Sequence, residues 1–310
     1  MDVVRKAPVL AAVALSTVAL TACGSSKKSA TAAPPSSSSG AAGSTGSASA
    51  AADPAVEKLV PAAIKSKGTI TVASDATYAP DEFIASDGHT VVGMDADLVK
   101  ALAGVMGLKS DVVNATFDTI IPGLSSGKYD MGASSMTDNK EREKTVNFVT
   151  YFQAGESFYT KAQGGTSVAT IADICGKTIS VEKGTTEQAD AEAQGKKCKS
   201  AGKPGVNVLV FPDQNGANLA VSSGRAQLGF ADTPVAAYQV KQSGGQFKLV
   251  GSAYANAPYG FPFAKTSQLD TAVLAALKVL MKNGTYTEIL KKWGLTGQAI
   301  TSPKINGAVG

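Results

Sequence analysis

The run Ser134-Ser135-Met136-Thr137-Asp138-Asn139-Lys140-Glu141-Arg142 sets small hydroxyls just past a short apolar strand, with a guanidinium five residues beyond Thr137. Hydroxyls in such a place can bond an oxygen or an ammonium. A planar guanidinium can take a carboxylate through two parallel hydrogen bonds. Glu141, Glu143 and Lys144 surround Arg142, so a surface ion pair is its competing use. Further on, Asp232 follows Gly229-Phe230-Ala231 and precedes Thr233-Pro234. It either caps the helix that Pro234 starts or accepts an ammonium. Together, Arg142 and Asp232 could hold the two ends of an α-amino acid.

Other polar groups also fall where strands should end. Ser74-Asp75-Ala76-Thr77-Tyr78-Ala79-Pro80-Asp81-Glu82-Phe83 breaks a β-branched strand with Ala and Pro, which offers Asp75 and Tyr78 at its end. Asp95 and Asp97 precede a helical apolar face of Leu98, Leu102, Val105 and Met106; carboxylates at that end suit the helix dipole, and we read them as helix-start groups. Phe117 opens the stretch that leads into Pro122-Gly123-Leu124. Glu182-Lys183-Gly184-Thr185-Thr186-Glu187-Gln188 follows another strand and opens a helix. Thr185 or Thr186 caps it, and its free N–H groups can meet an anion.

The elements that must position these groups come in duplicate. Leu124-Ser125-Ser126-Gly127-Lys128-Tyr129-Asp130-Met131-Gly132 and Val221-Ser222-Ser223-Gly224-Arg225-Ala226-Gln227-Leu228-Gly229 read almost alike. Each ends a helix in Ser-Ser-Gly and a cation, where Gly permits a left-handed turn and the cation suits the dipole. Each then enters a short strand. The opening strands repeat too: Thr69-Ile70-Thr71-Val72 leads to Asp75, and Thr178-Ile179-Ser180-Val181 leads to Gly184-Thr185-Thr186. This predicts two similar α/β lobes facing a cleft, since ligands of open α/β sheets bind beyond the carboxyl ends of the strands.

The chain ends describe export. Residues 1–22 read as a signal peptide, with Arg5 and Lys6 before the apolar run Val9 to Leu20; that run is shorter than a membrane span and fits a secretory core. Leu20-Thr21-Ala22-Cys23 resembles the bacterial lipobox, which makes Cys23 a lipidated N-terminus. Residues 23–60 are mostly Ser, Ala, Gly, Thr and Pro, too polar to bury a core. They read as a tether spanning roughly 30–35 Å as a coil and about 120–130 Å extended. In an exported protein the remaining cysteines, Cys175 and Cys198, are expected to pair. The loop closed would be worth roughly 3.4 kcal/mol; two free thiols are the alternative.

Several functions are excluded or disfavoured. The only histidine, His89, sits beside Gly88 in a hairpin turn and has no companion, so no metal site and no Ser/His/Asp triad is expected. Gly176-Lys177-Thr178 imitates the end of a phosphate loop, but Ile171 stands where its first glycine should be. The net formal charge is only +4 and no basic stripe stands out, which argues against nucleic acid. No cofactor is expected.

Across residues 66–296 the chain resembles the type-3 family of bacterial solute-binding proteins, which serve ABC importers of amino acids and other small polar solutes. The resemblance rests on Asp75-Ala76-Thr77-Tyr78-Ala79-Pro80, Gly93-Met94-Asp95-Ala96-Asp97-Leu98, Ser135-Met136-Thr137 with Arg142, Gly184-Thr185-Thr186, Asp232, Asn283-Gly284-Thr285-Tyr286 and Lys292-Trp293-Gly294-Leu295. It implies a two-lobed, type II periplasmic-binding-protein-like α/β fold with two crossing hinge strands. We expect lobe one in residues 61–153 and 257–302, lobe two in 154–256 and a C-terminal tail in 303–310.

The resemblance also implies roles. Arg142 would clamp the ligand carboxylate and Asp232 its ammonium. Ser135 and Thr137, with Ser134 nearby, would add hydroxyl or backbone contacts, and Thr185 and Thr186 would bond the carboxylate from lobe two. Tyr78 and Phe117 would sandwich the ligand's stem, with Asp75, and Glu182 across from it, near the distal group. Asp81, Met94, Ala96 and Glu182 depart from the commoner family residues and blunt the transfer of ligand identity. Asp75 and Glu182 hint at a cationic or amide-bearing side chain. The expected partners are a polar amino acid, an ABC permease and, through Cys23, the membrane; the protein would be a monomer on the extracytoplasmic side. A ligand-presenting sensor and a dehydratase-like enzyme are the alternatives.

Overall fold

A computed structural model describes residues 51–309 of the chain. The expected signal peptide and Cys23 lie outside the described residues.

Two of the three sheets among the described residues carry the fold; the third is the small antiparallel set Thr77–Tyr78, Glu82–Ile84 and Val91–Val92. The first is parallel, with Thr69–Ser74 between Lys109–Asn114 and Met131–Gly132. The second has five strands in the order Phe247–Ala264, Val146–Lys161, Leu228–Asp232, Thr178–Glu182 and Asn207–Phe211. Its first two members are long and antiparallel, and they join the lobes. At one end Phe148, Val149, Tyr151, Phe152, Tyr259, Phe261 and Phe263 are buried in lobe-one clusters. At the other end Phe158 packs with Ile179, Val181 and Phe230 in lobe two. The pairing shifts register between Val250 and Tyr254, between Tyr254 and Ala257, and between Tyr259 and Gly260. Such irregularities bend strands.

The duplicated signals fold alike. Helix Phe117–Ser125 ends before Gly127 at φ 75°, and helix Gln214–Ser222 ends before Gly224 at φ 81°. The strands Met131–Gly132 and Leu228–Asp232 follow. Helix Leu269–Lys282 buries Leu269, Ala272, Val273, Ala276, Leu277 and Leu280 in the cluster that holds Ile70, Leu98 and Leu102. The chain thus returns to lobe one through the second long strand. Cys175 and Cys198 are disulfide-bonded, with Cα atoms 5.6 Å apart.

Three expectations need correction. The ordered chain begins inside the expected tether: Pro54–Glu57 form a helical turn, and Val56 and Val60 are buried in the lobe-one core. Two valines at this spacing have enough apolar area to dock, and the Ser/Ala composition around them obscured it. The expected tail is not free either, since residues 304–306 pair with the edge of Val146–Lys161. Asp95 does more than start its helix. It is fully buried and accepts hydrogen bonds from the Ser135 N–H at 3.0 Å and the Tyr151 hydroxyl at 2.7 Å. Asp97 instead takes Lys292 Nζ at 2.6 Å and Trp293 Nε1 at 2.8 Å, tying two helices together.

Candidate functional site

Asp75 and Tyr78 sit just past strand Thr69–Ser74, in the break that Ala79-Pro80 continues. Asp75 is nearly fully buried. Its Oδ1 accepts from the Thr77 hydroxyl at 2.7 Å and its Oδ2 from the Phe117 N–H at 2.9 Å, while its own N–H donates to Ser134 Oγ at 2.9 Å. That lattice fixes the carboxylate at the start of helix Phe117–Ser125, where the dipole favours it.

Ser134 and Ser135 follow strand Met131–Gly132, and Ser135 takes a left-handed conformation at φ 43°. Three buried acids hold this turn from behind. The Ser134 hydroxyl donates to Glu82 at 3.1 Å, and the Ser135 hydroxyl stands 3.0 Å from Asp81 Oδ2 and 3.2 Å from Glu82 Oε2. Asp81, Glu82 and Asp95 are all fully buried. Burial pushes each upward, Asp95 to about 7, and mutual repulsion adds to the rise at Asp81 and Glu82.

Arg142 opens a 3-10 turn, Arg142–Lys144. Its guanidinium donates to the Thr137 carbonyl at 2.8 Å on its own side and to the Gly184 carbonyl at 2.9 Å across the cleft. It lies 5.3 Å from the centre of the Phe117 ring, within cation–π range. Glu141 pairs with Lys144, and Glu143 with Lys140. The neighbouring charges are therefore matched among themselves, and the surface ion-pair reading of Arg142 fails.

In lobe two, Thr185 is the N-cap of helix Thr186–Ser200 and accepts the Gln188 N–H at 3.2 Å. Asp232 precedes helix Thr233–Gln242 but makes no side-chain cap, so the capping reading fails for it. Instead it meets Tyr78 from the opposite lobe. The Tyr78 hydroxyl donates to Asp232 Oδ2 at 3.2 Å and accepts the Asp232 N–H at 3.0 Å. Further cross-cleft contacts join the Gln214 N–H to Thr77 Oγ1 at 3.1 Å and Lys183 to Asp118 at 2.7 Å. The cleft is shut.

Every residue expected at the site lines one narrow pocket: Asp75, Tyr78, Phe117, Ser134, Ser135, Thr137, Arg142, Glu182, Thr185, Thr186 and Asp232. Glu187 joins them and was not anticipated. Its place in the first helical turn had an ordinary explanation in the dipole, but the side chain is 1% exposed. Glu156 is buried beside Asp232 without lining the pocket. Only strand pairing reveals it, as the partner of Asp232 across the ladder.

The pocket is rich in carboxylates. Burial raises Asp232 to about 8 with help from Glu156, and Glu156 to about 9 with help from Glu187 and Asp190. Glu182 and Glu187 are pushed well above the usual carboxylate range by burial first, then by Asp75 and Asp232 respectively. Glu182 and Asp75 line the pocket from opposite lobes, and Glu182 Oε1 is buried with no hydrogen-bond partner. One guanidinium among so many acids leaves the pocket in need of protons or of a cation. Among the described residues no cluster is arranged to hold a metal ion.

The chain is similar to several known binding proteins. The arginine-binding protein ArgT of Corynebacterium glutamicum is 33% identical over 254 residues, 82% of this chain and 83% of that protein. A solved ancestral arginine-binding protein bound to arginine is 36% identical with a TM-score of 0.67, over 73% of this chain and 98% of that one. The ancestral amino acid-binding protein AncCDT-1, a precursor of cyclohexadienyl dehydratase, is 33% identical with a TM-score of 0.67, over 74% of this chain and 97% of that one. With residues 70–296 also matching their family profile, the chain belongs to the bacterial extracellular solute-binding proteins, family 3.

Proposed function

We propose that this protein is the substrate-binding component of an ABC importer, and that it captures a cationic amino acid, L-arginine above all. It binds reversibly and does not catalyse. The observation that carries the ligand class is the surplus of acid in the pocket. Arg142 suits the ligand's α-carboxylate and Asp232 its α-ammonium. Asp75 and Glu182, from opposite lobes, then remain as two buried carboxyls lining one pocket. Stranding such acids is costly, and a guanidinium or ammonium at the distal end of the ligand removes the cost. The names of the relatives agree: ArgT and the ancestral protein are both called arginine-binding.

The remaining assignments belong to the same reading. Lobe one is built on residues 61–153 and 257–302, with the segments around Val56 and residues 304–306 docked on it, lobe two is 154–256, and the long strands are the hinge. Residues 1–22 are a signal peptide, and Cys23 carries the lipid, palmitate included. The monomer stays tethered to the outer face of the membrane and delivers its ligand to a permease.

Calorimetry with L-arginine and L-citrulline tests the ligand class, since citrulline keeps the shape of arginine without its charge. Arginine should bind at least about tenfold more tightly, the equivalent of a single charged contact. Equal affinity for citrulline, or a preference for glutamine, would remove the cationic reading.

A further inference from the structure

The end of the chain lies against the segment that carries Arg142. Pro303 is buried, and beyond it the backbone pairs with strand Val146–Lys161. The Thr150 N–H donates to the Lys304 carbonyl at 2.9 Å and the Asn306 N–H to the Phe148 carbonyl at 3.0 Å. Val149 and Ile305 are antiparallel partners. The Phe148 N–H also donates to Asn306 Oδ1, at 2.9 Å. The segment therefore covers a strand edge that would otherwise present unpaired groups.

Asn306 then turns the chain at φ 55°, a conformation that asparagine tolerates better than most residues. The turn aims the next two N–H groups at the Arg142 segment. Gly307 donates to Asp138 Oδ2 at 2.7 Å, and Ala308 donates to Glu143 Oε1 at 3.2 Å. Gly307 has no room for a side chain, because a Cβ there would stand 2.8 Å from Thr150 Cγ2. Asp138 and Glu143 flank the guanidinium in sequence, four residues before it and one after. Asp138 is 1% exposed, and its own N–H is tied to the Pro258 carbonyl at 2.8 Å. Burial raises Asp138, and the Gly307 N–H opposes that rise. Without this donor a buried carboxylate would lose its backbone partner inside the turn.

We propose that residues 303–308 are a brace that sets the Arg142 turn in its carboxylate-binding geometry, with Asp138 and Glu143 as the positioning residues through which it acts. The proposal deepens the reading in which Arg142 takes the ligand carboxylate, and it rests on that reading. No residue of the brace touches the pocket. Its effect should therefore appear only on ligands that carry the group Arg142 holds.

The test uses the full chain, a chain ending at Lys304, and Ala308→Pro, which removes one N–H and deletes nothing. The probes are L-arginine and agmatine, which is arginine without the α-carboxylate. Both variants should bind arginine more weakly, the truncation by about tenfold, while agmatine affinity changes less than about twofold. In an Arg142→Ala background the truncation should cause no further loss. Equal losses for both probes, or unchanged arginine affinity in a variant with a native melting transition, would overturn the brace. Hydrogen exchange without any ligand supplies an independent reading. The amides of Arg142, Glu143 and Thr145, which are bonded within the turn, should exchange faster in both variants. Unchanged exchange there rejects the brace whatever the probes do. Failure of arginine to bind the wild-type chain, with faster exchange in the variants, rejects the ligand assignment and leaves the brace standing.

Discussion

Tyr78 and Asp232 exchange two hydrogen bonds across the cleft: the tyrosine hydroxyl donates to the carboxylate at 3.2 Å and accepts the aspartate N–H at 3.0 Å. They are 154 residues apart and sit at the strand ends of different lobes. Tyr78 is even buried among lobe-two residues, with Tyr159, Val221 and Val235. The pair orients Asp232 toward the pocket while its N–H stays satisfied. The contact spans the two lobes, so in the reading proposed above one aspartate would serve both ligand recognition and closure.

Arg142→Ala and Asp232→Ala should each weaken arginine binding. A charged hydrogen bond is worth about 1.5–3 kcal/mol, and stranding its partner about 3–5 kcal/mol. A loss of roughly 10- to 1000-fold follows, with little change in the melting of the ligand-free protein. Asp232→Ala should also lose preference for ligands bearing an α-ammonium. Calorimetry on both variants measures this, and near wild-type affinity in either would return that residue to a structural role.

The acids behind Ser135 set a pH dependence of stability. Asp81, Glu82 and Asp95 are all raised in the folded protein, Asp95 to about 7, against about 3.9–4.3 in an unfolded chain. A raised acid gives stability that is full below its unfolded value and is lost as pH rises through its folded value. The ligand-free protein should therefore melt higher near pH 5 than near pH 8. Asp81→Asn removes one acid of the three and should flatten this slope, with its largest relative gain at pH 8. Scanning calorimetry at both pH values decides it, and an unchanged slope in the variant would clear the cluster of this role.

Cys23→Ala should leave the protein unprocessed or released from the membrane fraction. Mass spectrometry of the mature N-terminus reads the result. A chain cut elsewhere, with no lipid on Cys23, would end the anchor reading.

Where sequence was legible, the reason was chemical punctuation. Ser126-Gly127 and Ser223-Gly224 marked both helix ends because left-handed turns favour glycine, and Arg142 and Asp232 stood out because each followed a short strand. Asp95 and Glu187 were misjudged or missed for the opposite reason: an acid in a first helical turn already has a sufficient local explanation. Only tertiary packing shows that Asp95 faces Ser135 and Tyr151 and that Glu187 faces the pocket. Glu156 and Gly307 carried no local signal, since their partners Asp232 and Asp138 lie 76 and 169 positions away, and Val56 docks on a core built from distant residues.

The pocket itself should couple binding to protons in a distinctive way. In an open cleft its carboxylates face water and stay near about 4. In the shut cleft Asp232 rises to about 8, and Glu182 and Glu187 rise as well. Without a bound cation the shut form therefore binds more protons than the open form, so its stability relative to the open form falls as pH rises toward about 8. At neutral pH the ligand-free protein should stand open, and X-ray scattering should report a larger radius of gyration than with arginine. A cationic ligand replaces those protons and pulls the same carboxyls back down. Arginine affinity should then fall as pH drops from about 6 toward 4, by up to about tenfold per unit for each coupled proton, while the empty form becomes more compact over the same range. The opposite signs are the signature of acids that serve the ligand. Affinity independent of pH, with no compaction on acidification, would mean that the raised carboxyls do not face the bound cation.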